Sequence, residues 1–290
     1  MLPLYNGAAF ITETLASLAA QTLQAAELIV VNDGSTDDSP RLVEEFCRAA
    51  SSPVLRSLRM ITQANQGVAA ARNTGIAAAR ADWIALIDQD DLWLPHKLEQ
   101  QWQAICAAPQ AVWHYAAFTR FYASGREVHK INGSADRGET LRRLVAGDLF
   151  IPPAAALVRT DICRVIGGFD STIIPSDDWD FFLKLAAQYE LAYTPHCLVR
   201  FRSHPTSTGK RQRRRIFEMQ EHVLQRHLPQ LAGVVPARLI NRRFANIYWH
   251  LGREAAADGD RAAARTLFRR ALRLHPTRIK LWRSLLASLV

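Results

Sequence analysis

Three carboxylates fall within four residues at Asp88-Gln89-Asp90-Asp91, directly after the apolar run Trp83-Ile84-Ala85-Leu86-Ile87. Carboxylates this close repel one another and lose hydration, so the arrangement calls for positive charge among them. Side chains two apart along an extended segment point to one side. Asp88 and Asp90 can therefore share a hard divalent cation, Mg²⁺ or Mn²⁺, through oxygen ligands. The competing structural reading is a solvated acidic turn ahead of the helix that starts near Pro95. A second cluster, Asp177, Asp178 and Asp180, follows Ser176. Ser176 is a natural N-cap, and acids in a first helical turn complement the helix dipole, but three are more than capping needs.

Both clusters need a frame. Leu28-Ile29-Val30-Val31 is a compact β-branched run that stops at the polar turn Asn32-Asp33-Gly34-Ser35-Thr36-Asp37, ahead of a helix carrying Leu42, Val43 and Phe46. A strand over Val54 to Thr62, a helix over Val68 to Arg80 and the strand from Trp83 continue the alternation. This order predicts an α/β fold, a mostly parallel sheet with helices on both faces, and a ligand crevice where Asp33 and Asp88 emerge at strand ends. After the helix Pro95 to Ala107, aromatic strands around 111–122 turn at Gly125, and strands are expected at 153–159 and 191–203.

Past Pro205 the composition changes, which places a catalytic domain at 1–205 and a helical C-terminal region at 206–290. Lys210-Arg211-Gln212-Arg213-Arg214-Arg215 opens a basic helix. Tyr248, Leu251, Gly252, Gly259, Asp260, Ala264, Phe268, Ala271 and Pro276 stand at the spacings of one tetratricopeptide repeat, a helical hairpin over about 245–276. A lone repeat cannot bury its own face, so Ile279 to Leu289 is expected to cover its open end.

The chain has 290 residues, 49% of them apolar, enough for about two domains with a sizeable core. Thirty-six Lys plus Arg against 27 Asp plus Glu leave a charge of +9, which suits phosphorylated ligands or an anionic membrane surface. Nucleic acid is disfavoured, because the basic run lacks interleaved aromatics and any recognisable nucleic-acid motif. Cys47, Cys106, Cys163 and Cys197 are widely spaced and read as reduced residues, not zinc ligands or a disulfide frame. No run of about 18 uncharged apolar residues occurs and no leader pattern opens the sequence. A cytoplasmic protein is expected, either soluble or peripheral on the inner face of the plasma membrane.

Five stretches, taken together, resemble the inverting glycosyltransferases of family 2. They are Pro3-Leu4-Tyr5-Asn6-Gly7, Val31 to Asp37, Asn65-Gln66-Gly67-Val68-Ala69-Ala70-Ala71-Arg72-Asn73, Asp88-Gln89-Asp90-Asp91-Leu92-Trp93 and Asp177-Asp178-Trp179-Asp180. They occur in the family's order and at about its spacing, from Pro3 to about Pro205. The resemblance implies the GT-A fold, a nucleotide-diphosphate sugar donor, a saccharide or lipid-linked acceptor, and a role in cell-surface polysaccharide or lipopolysaccharide assembly. It also implies roles for particular residues. Pro3 and Tyr5 line the base pocket, Asp33 bonds the nucleobase or ribose, and Arg72 sits beside the nucleotide. Asp90 ends the DxD motif as a metal ligand, with Asp88 on the ribose or supporting the metal through water. The general base maps to Asp178, with Asp177 as its alternative because a Glu is common there, and Arg202 and His204 approach the diphosphate. Two features depart from the family pattern. The strand before Pro3 is short, which suggests an upstream translation start, and Ala255 stands where the repeat usually has a larger side chain. The alternative reading is a catalytically degenerate GT-A protein that binds a nucleotide sugar or a protein partner.

Overall fold

The computed structural model describes residues 1–204 and 212–288. They divide into two compact units, one made of 1–137, 151–172 and 177–204, the other of 138–150, 173–176 and the segment beyond 204.

The first unit begins with three parallel strands, β1 (Leu2–Leu4), β2 (Leu28–Asn32) and β3 (Leu58–Thr62), with Leu2 opposite Val30 and Leu28 opposite Leu58. All five residues of β2 are buried, which is why the run reads as continuously apolar. Its alternate side chains serve two layers. Leu28 and Val30 pack with Ile11, Leu15 and Leu18 of α1 (Ile11–Ala19) and with Val43 and Cys47 of α2 (Ser39–Ala49). Ile29 and Val31 meet Ala71 on the opposite face. The strand expected from Val54 starts only at Leu58. Residues Pro53–Arg56 form the short helix α3 instead, because Pro53 lacks the N–H that a helix start can spare, and Val54 and Leu55 turn into the core.

Following α4 (Val68–Ala78), β4 (Trp83–Ala85) is tied to the N-terminal strand by Met1 N donating to Ala85 O at 2.8 Å and Ile87 N donating to Met1 O at 3.1 Å. Parallel order gives way here. β5 (Leu92–Trp93) and α5 (Lys97–Ala107) are followed by the hairpin β6 (Trp113–Tyr122) and β7 (Glu127–Lys130), turning at Gly125 with φ +80°. Then come α6 (Arg137–Ala146), which belongs to the second unit from Gly138 onward, β8 (Ala156–Arg159), α7 (Thr160–Val165), α8 (Asp177–Gln188) and β9 (Leu191–Ser203). The sheet runs β4-β8-β6-β9-β5, and within it only β6 and β9 pair in parallel. Two elements went unmarked in the sequence, α6 and α7, both short and with mixed polarity.

The second unit is helical, with α9 (Arg213–Leu231), α10 (Ala237–Ala257), α11 (Arg261–Leu274) and α12 (Ile279–Ala287). α10 and α11 form the expected hairpin. A Cβ on Gly252 would lie 2.6 Å from the Phe268 ring, so only glycine lets the helices come this close, and Asp260 caps α11 by accepting from Ala263 N. Leu285 of α12 packs on the cluster of Ala255, Ala264 and Phe268, which explains how the small Ala255 is accommodated. Of the basic run, Lys210 and Arg211 lie outside the described residues. Arg213 pairs with Glu254 at 3.4 Å, Arg214 with Glu218 and Asp258 at 3.1 and 2.9 Å, and Arg215 with Glu218 at 3.9 Å. Among the described residues no helix is long and apolar enough to cross a membrane, and all four cysteines are free.

One core residue of the first unit has a measurable cost. Lys97 is fully buried, its Nζ has no hydrogen-bond partner among the described residues, and it lies 3.8 Å from the Trp93 ring centroid. Burial holds the amine well below the usual lysine range, so the folded chain binds this proton less tightly than the unfolded chain, which carries it up to about pH 10. The unfolded state therefore binds the extra proton, and the lysine costs stability at all pH values below that range. Lys97→Met is expected to raise stability by about 1–3 kcal/mol near neutral pH. The gain should shrink as pH rises towards 10, as read by urea unfolding at several pH values.

Candidate active site

The first acidic cluster sits where β4 ends and the chain turns before β5. Arg72, from α4, reaches it from below. Its Nη2 donates to Asp88 Oδ1 at 2.7 Å and its Nη1 to Asp177 Oδ2 at 2.8 Å. The guanidinium is almost wholly buried and lies 5.0 Å from the Phe169 ring centroid. Burial alone would lower its affinity for the proton, but the carboxylates of Asp88 and Asp177 overcome this and hold the group firmly charged. One cation thus joins the two acidic clusters that are 89 residues apart in the sequence.

Asp90 faces the other way, sharing a hydrogen bond of 2.8 Å between its Oδ2 and His204 Nε2. Burial first, then the neighbouring Asp88, push the Asp90 carboxyl up, against the pull of His204. Asp91 is buried, accepts from Arg202 N at 2.9 Å through Oδ1, and leaves Oδ2 without a hydrogen-bond partner among the described residues. Burial and the charges of Asp90 and Asp88 push its carboxyl well above the usual range. Arg202 donates from Nε to Asp90 O at 2.8 Å, pairs with Glu13, and spans the rings of Phe10 and Phe121. The end of β9 thereby clamps the acidic turn from one side.

At the start of α8 the three acids differ sharply. Asp177 is held by Arg72, and Asp180 is fully buried against Lys184 at 2.7 Å. Asp178 is ion-paired to no cation among the described residues, and its Oδ1 accepts from Trp179 N at 2.7 Å. Burial, then the adjacent Asp177, push its carboxyl up to about 7, with Arg72 pulling the other way.

Asp33 is buried at the end of β2 and organises the loop before α4. Its Oδ1 accepts from Gln63 Nε2 and Gln66 N at 2.8 and 2.9 Å, and its Oδ2 from Gly67 N at 2.8 Å. Pro3 is buried within β1, whereas Tyr5 is 45% exposed. Two residues were not singled out as site residues in the sequence. Gln89 accepts from Tyr5 N at 2.8 Å and donates to Tyr5 O at 3.0 Å, pinning the β1 turn to the acidic turn. Gly7 leaves room for it, since a Cβ there would lie 2.6 Å from Gln89 Oε1 and the glutamine would have to shift. Asn73 makes a reciprocal pair with Phe169 N and O at 2.8 and 2.7 Å, fixing the ring beneath Arg72. Both stand inside stretches whose charged neighbours drew the attention.

Hard oxygen donors crowded together with raised proton affinity, one of them an unpartnered buried oxygen, are the donor set a divalent cation suits. Among the described residues no group of three or more His, Cys, Asp or Glu is arranged to enclose a metal. The fit is therefore to an ion held by one or two carboxylates, with the remaining positions left to water and ligand oxygens.

Known proteins resemble this chain in sequence and in fold. A family model described as glycosyl transferase family 2 matches residues 1–167. A glycosyltransferase of Haemophilus influenzae, itself uncharacterised, is 30% identical over 205 residues, covering 68% of this chain and 63% of that protein. Of three other curated bacterial glycosyltransferases the chain spans 20%, 29% and 28% of the length. Among solved structures, S. aureus TarS residues 1–349 superposes with a TM-score of 0.69 at 17% identity, over 95% of this chain and 80% of that one. The mannosyltransferase PcManGT from Pyrobaculum calidifontis, solved with GDP-Man and Mn²⁺, superposes with a TM-score of 0.63 at 20% identity, over 99% and 83%. The family match and the shared GT-A architecture lead to one conclusion: the chain belongs to glycosyl transferase family 2.

Proposed function

We propose that this chain transfers a sugar from a nucleotide-diphosphate sugar to a hydroxyl acceptor with inversion, in cell-surface polysaccharide or lipopolysaccharide assembly. The observation that carries the reading is the division of labour at the start of α8. Asp177 and Asp180 are neutralised by Arg72 and Lys184, which leaves Asp178 as the acid whose carboxyl, pushed up to about 7, is matched to taking a proton near neutral pH. Direct displacement needs such a base beside the acceptor hydroxyl, and a single inversion follows from attack opposite the leaving group. Solved relatives of this fold support the donor class, since they bind UDP, UDP-GlcNAc or GDP-Man.

Asp90, with Asp88 behind it, would hold a divalent ion, Mn²⁺ or Mg²⁺. When bound there, the ion neutralises the charge that builds on a departing diphosphate. Arg72 holds Asp88 in place, and Arg202 braces Asp90 through its carbonyl. Pro3, Tyr5 and Asp33 form the nucleotide side, Asp33 by shaping the 63–67 loop. An anionic membrane surface is a further partner in this reading. With Arg213 to Arg215 paired to acids, it rests on Lys210 and Arg211.

Three measurements test the reading. Transfer should rise with pH through about 7, the range in which Asp178 loses its proton, and level off above it. Asp178→Asn should keep donor binding, lower transfer by roughly 10²–10⁴-fold and remove that limb of the profile. A larger loss in Asp177→Asn than in Asp178→Asn would assign the base to Asp177 instead. Asp90→Ala should abolish Mn²⁺-dependent donor binding while the domain stays folded by circular dichroism. Metal-dependent donor binding with no transfer to any hydroxyl acceptor would favour the degenerate binding module. In vesicle co-sedimentation, Lys210→Gln/Arg211→Gln should weaken retention on anionic lipid, and retention indifferent to both lipid charge and salt would rule the membrane partner out.

A further inference from the structure

We propose that Arg253, Arg278 and Lys280, gathered around Trp249 in the helical C-terminal unit, form a binding site for a phosphate-bearing anion. The site is separate from the transfer chemistry and would stand without it. Arg242, Asn246, Trp249 and Arg253 recur along one stripe of α10. The start of α12 lies against this stripe: Arg278 donates to Asn246 Oδ1, Trp249 Nε1 donates to Ser284 Oγ at 2.9 Å, and Lys280 Nζ lies 3.8 Å from the Trp249 ring centroid. The Arg253 guanidinium lies 5.0 Å from the same ring. The indole therefore holds two cations at once, a fixed platform for charge rather than a free stacking face.

What sets this cluster apart is that three cations converge on one indole with no acid among them. Elsewhere in the unit several arginines have acids: Arg213 has Glu254, Arg214 has Glu218 and Asp258, Arg242 has Asp148 and Arg270 has Glu221. No described Asp or Glu is ion-paired with Arg253, Arg278 or Lys280. Two of these cations also occupy the wrong end of a helix. Arg278 is the N-cap of α12 and Lys280 lies in its first turn, where the dipole is positive, no side chain caps and no acid is present. The crowding is felt in their proton affinities. Burial and then Arg242 lower that of Arg278, while burial followed by Arg278 and Arg253 lowers that of Lys280. An anion seated among them would reverse each of these penalties.

The charge present exceeds what one carboxylate would neutralise. Two guanidinium forks and an ammonium suit the several oxygens and multiple charge of a pyrophosphate or phosphodiester. The wider field agrees, since residues 205–290 hold 18 Lys plus Arg against five Asp plus Glu. Such a group could come from a soluble phosphorylated ligand or from a lipid headgroup.

Isothermal titration of the full chain with inorganic pyrophosphate, in low salt and with EDTA to silence any metal-dependent site, tests this directly. Wild type should bind, and Arg253→Gln/Lys280→Gln should weaken binding about tenfold or more while the chain stays folded, its thermal unfolding midpoint not lowered. Arg253→Lys/Lys280→Arg should retain it. Absence of binding, or equal binding by wild type and the double Gln variant, would overturn the site. If the double variant unfolds, Arg278→Gln alone is expected to show the same loss. Vesicles of phosphatidylcholine with rising phosphatidylglycerol distinguish the sources. Retention lost in the double variant and displaced by pyrophosphate assigns the headgroup, whereas pyrophosphate binding without retention assigns a soluble ligand. A single-stranded oligonucleotide bound through the same residues a hundredfold more tightly than pyrophosphate would replace the proposal with a nucleic-acid site.

Discussion

The buried contact of Arg72 with Asp88 and Asp177 is the constraint on which the rest of the catalytic unit depends. Removing Asp177 would strand the buried Arg72 charge with one partner fewer, at a cost of up to about 3–5 kcal/mol, and removing Arg72 would leave the carboxylates of Asp88 and Asp177 uncompensated. Everything around them serves that requirement. Asn73 fixes the Phe169 ring under the guanidinium, Phe169 stacks on Phe181 of α8 at 4.1 Å, and α8 delivers Asp177 at its first turn. The tie acts in two directions, because a cation that holds Asp88 at the acidic turn also sets where α8 must begin. Asp178 therefore inherits its place from Asp177, and its charge balance from the fact that Arg72 is already committed.

The acidic turn shows how unequal environments arise from near-identical side chains. Asp88, Asp90 and Asp91 are separated by at most three positions, yet each faces a different partner: Arg72, His204 and the Arg202 backbone. The expected extended geometry, which would put Asp88 and Asp90 on one side, gives way to a turn in which Asp91 N donates to Asp88 O at 3.2 Å; the turn sends the three in different directions, and burial then amplifies each difference. Asp91 is the most enclosed, and its backbone carbonyl also accepts from Thr14 Oγ1 at 3.0 Å, which couples α1 to the turn. Its part is to shape the loop that presents Asp90, an assignment its fractional exposure of 1% supports.

Much of this frame was legible in the sequence, and the reason is periodicity. β2 announces itself because both its faces are buried, and α10 with α11 because Gly252, Ala264 and Phe268 must interlock at close range. Where the reading fell short, local chemistry outweighed pattern. Val54 and Leu55 are as apolar as a buried strand requires, but Pro53 sets a helical start. The parallel order could be read for β1 to β3 from the alternation with helices, whereas the antiparallel pairing of β4 with β8 joins residues more than 70 positions apart, for which no short-range signal exists. In the site, residue types gave the acids but not their pairing. Nothing in the spacing of Arg72, Asp88 and Asp177 says that one guanidinium bridges the other two.

Charge is the quantity that whole-chain reading most distorts. A balance of +9 draws the eye to the densest basic run, yet density of like charge in sequence says little about free charge in space. The described part of that run is matched by Glu218, Glu254 and Asp258 across neighbouring helical turns and helices. Arg253, Arg278 and Lys280 are scattered in sequence and unremarkable there, and they become a cluster only because α12 folds back so that its first residues reach Trp249. Their repulsion is tolerated because the indole face and Asn246 offer partial compensation, and because the Trp249–Ser284 and Leu285 contacts hold α12 down regardless. Packing energy from apolar contacts thus maintains an electrostatic arrangement that would otherwise disperse. A like-charge cluster held in this way remains ready for an anion, and neutralising it would stabilise the unit that holds it.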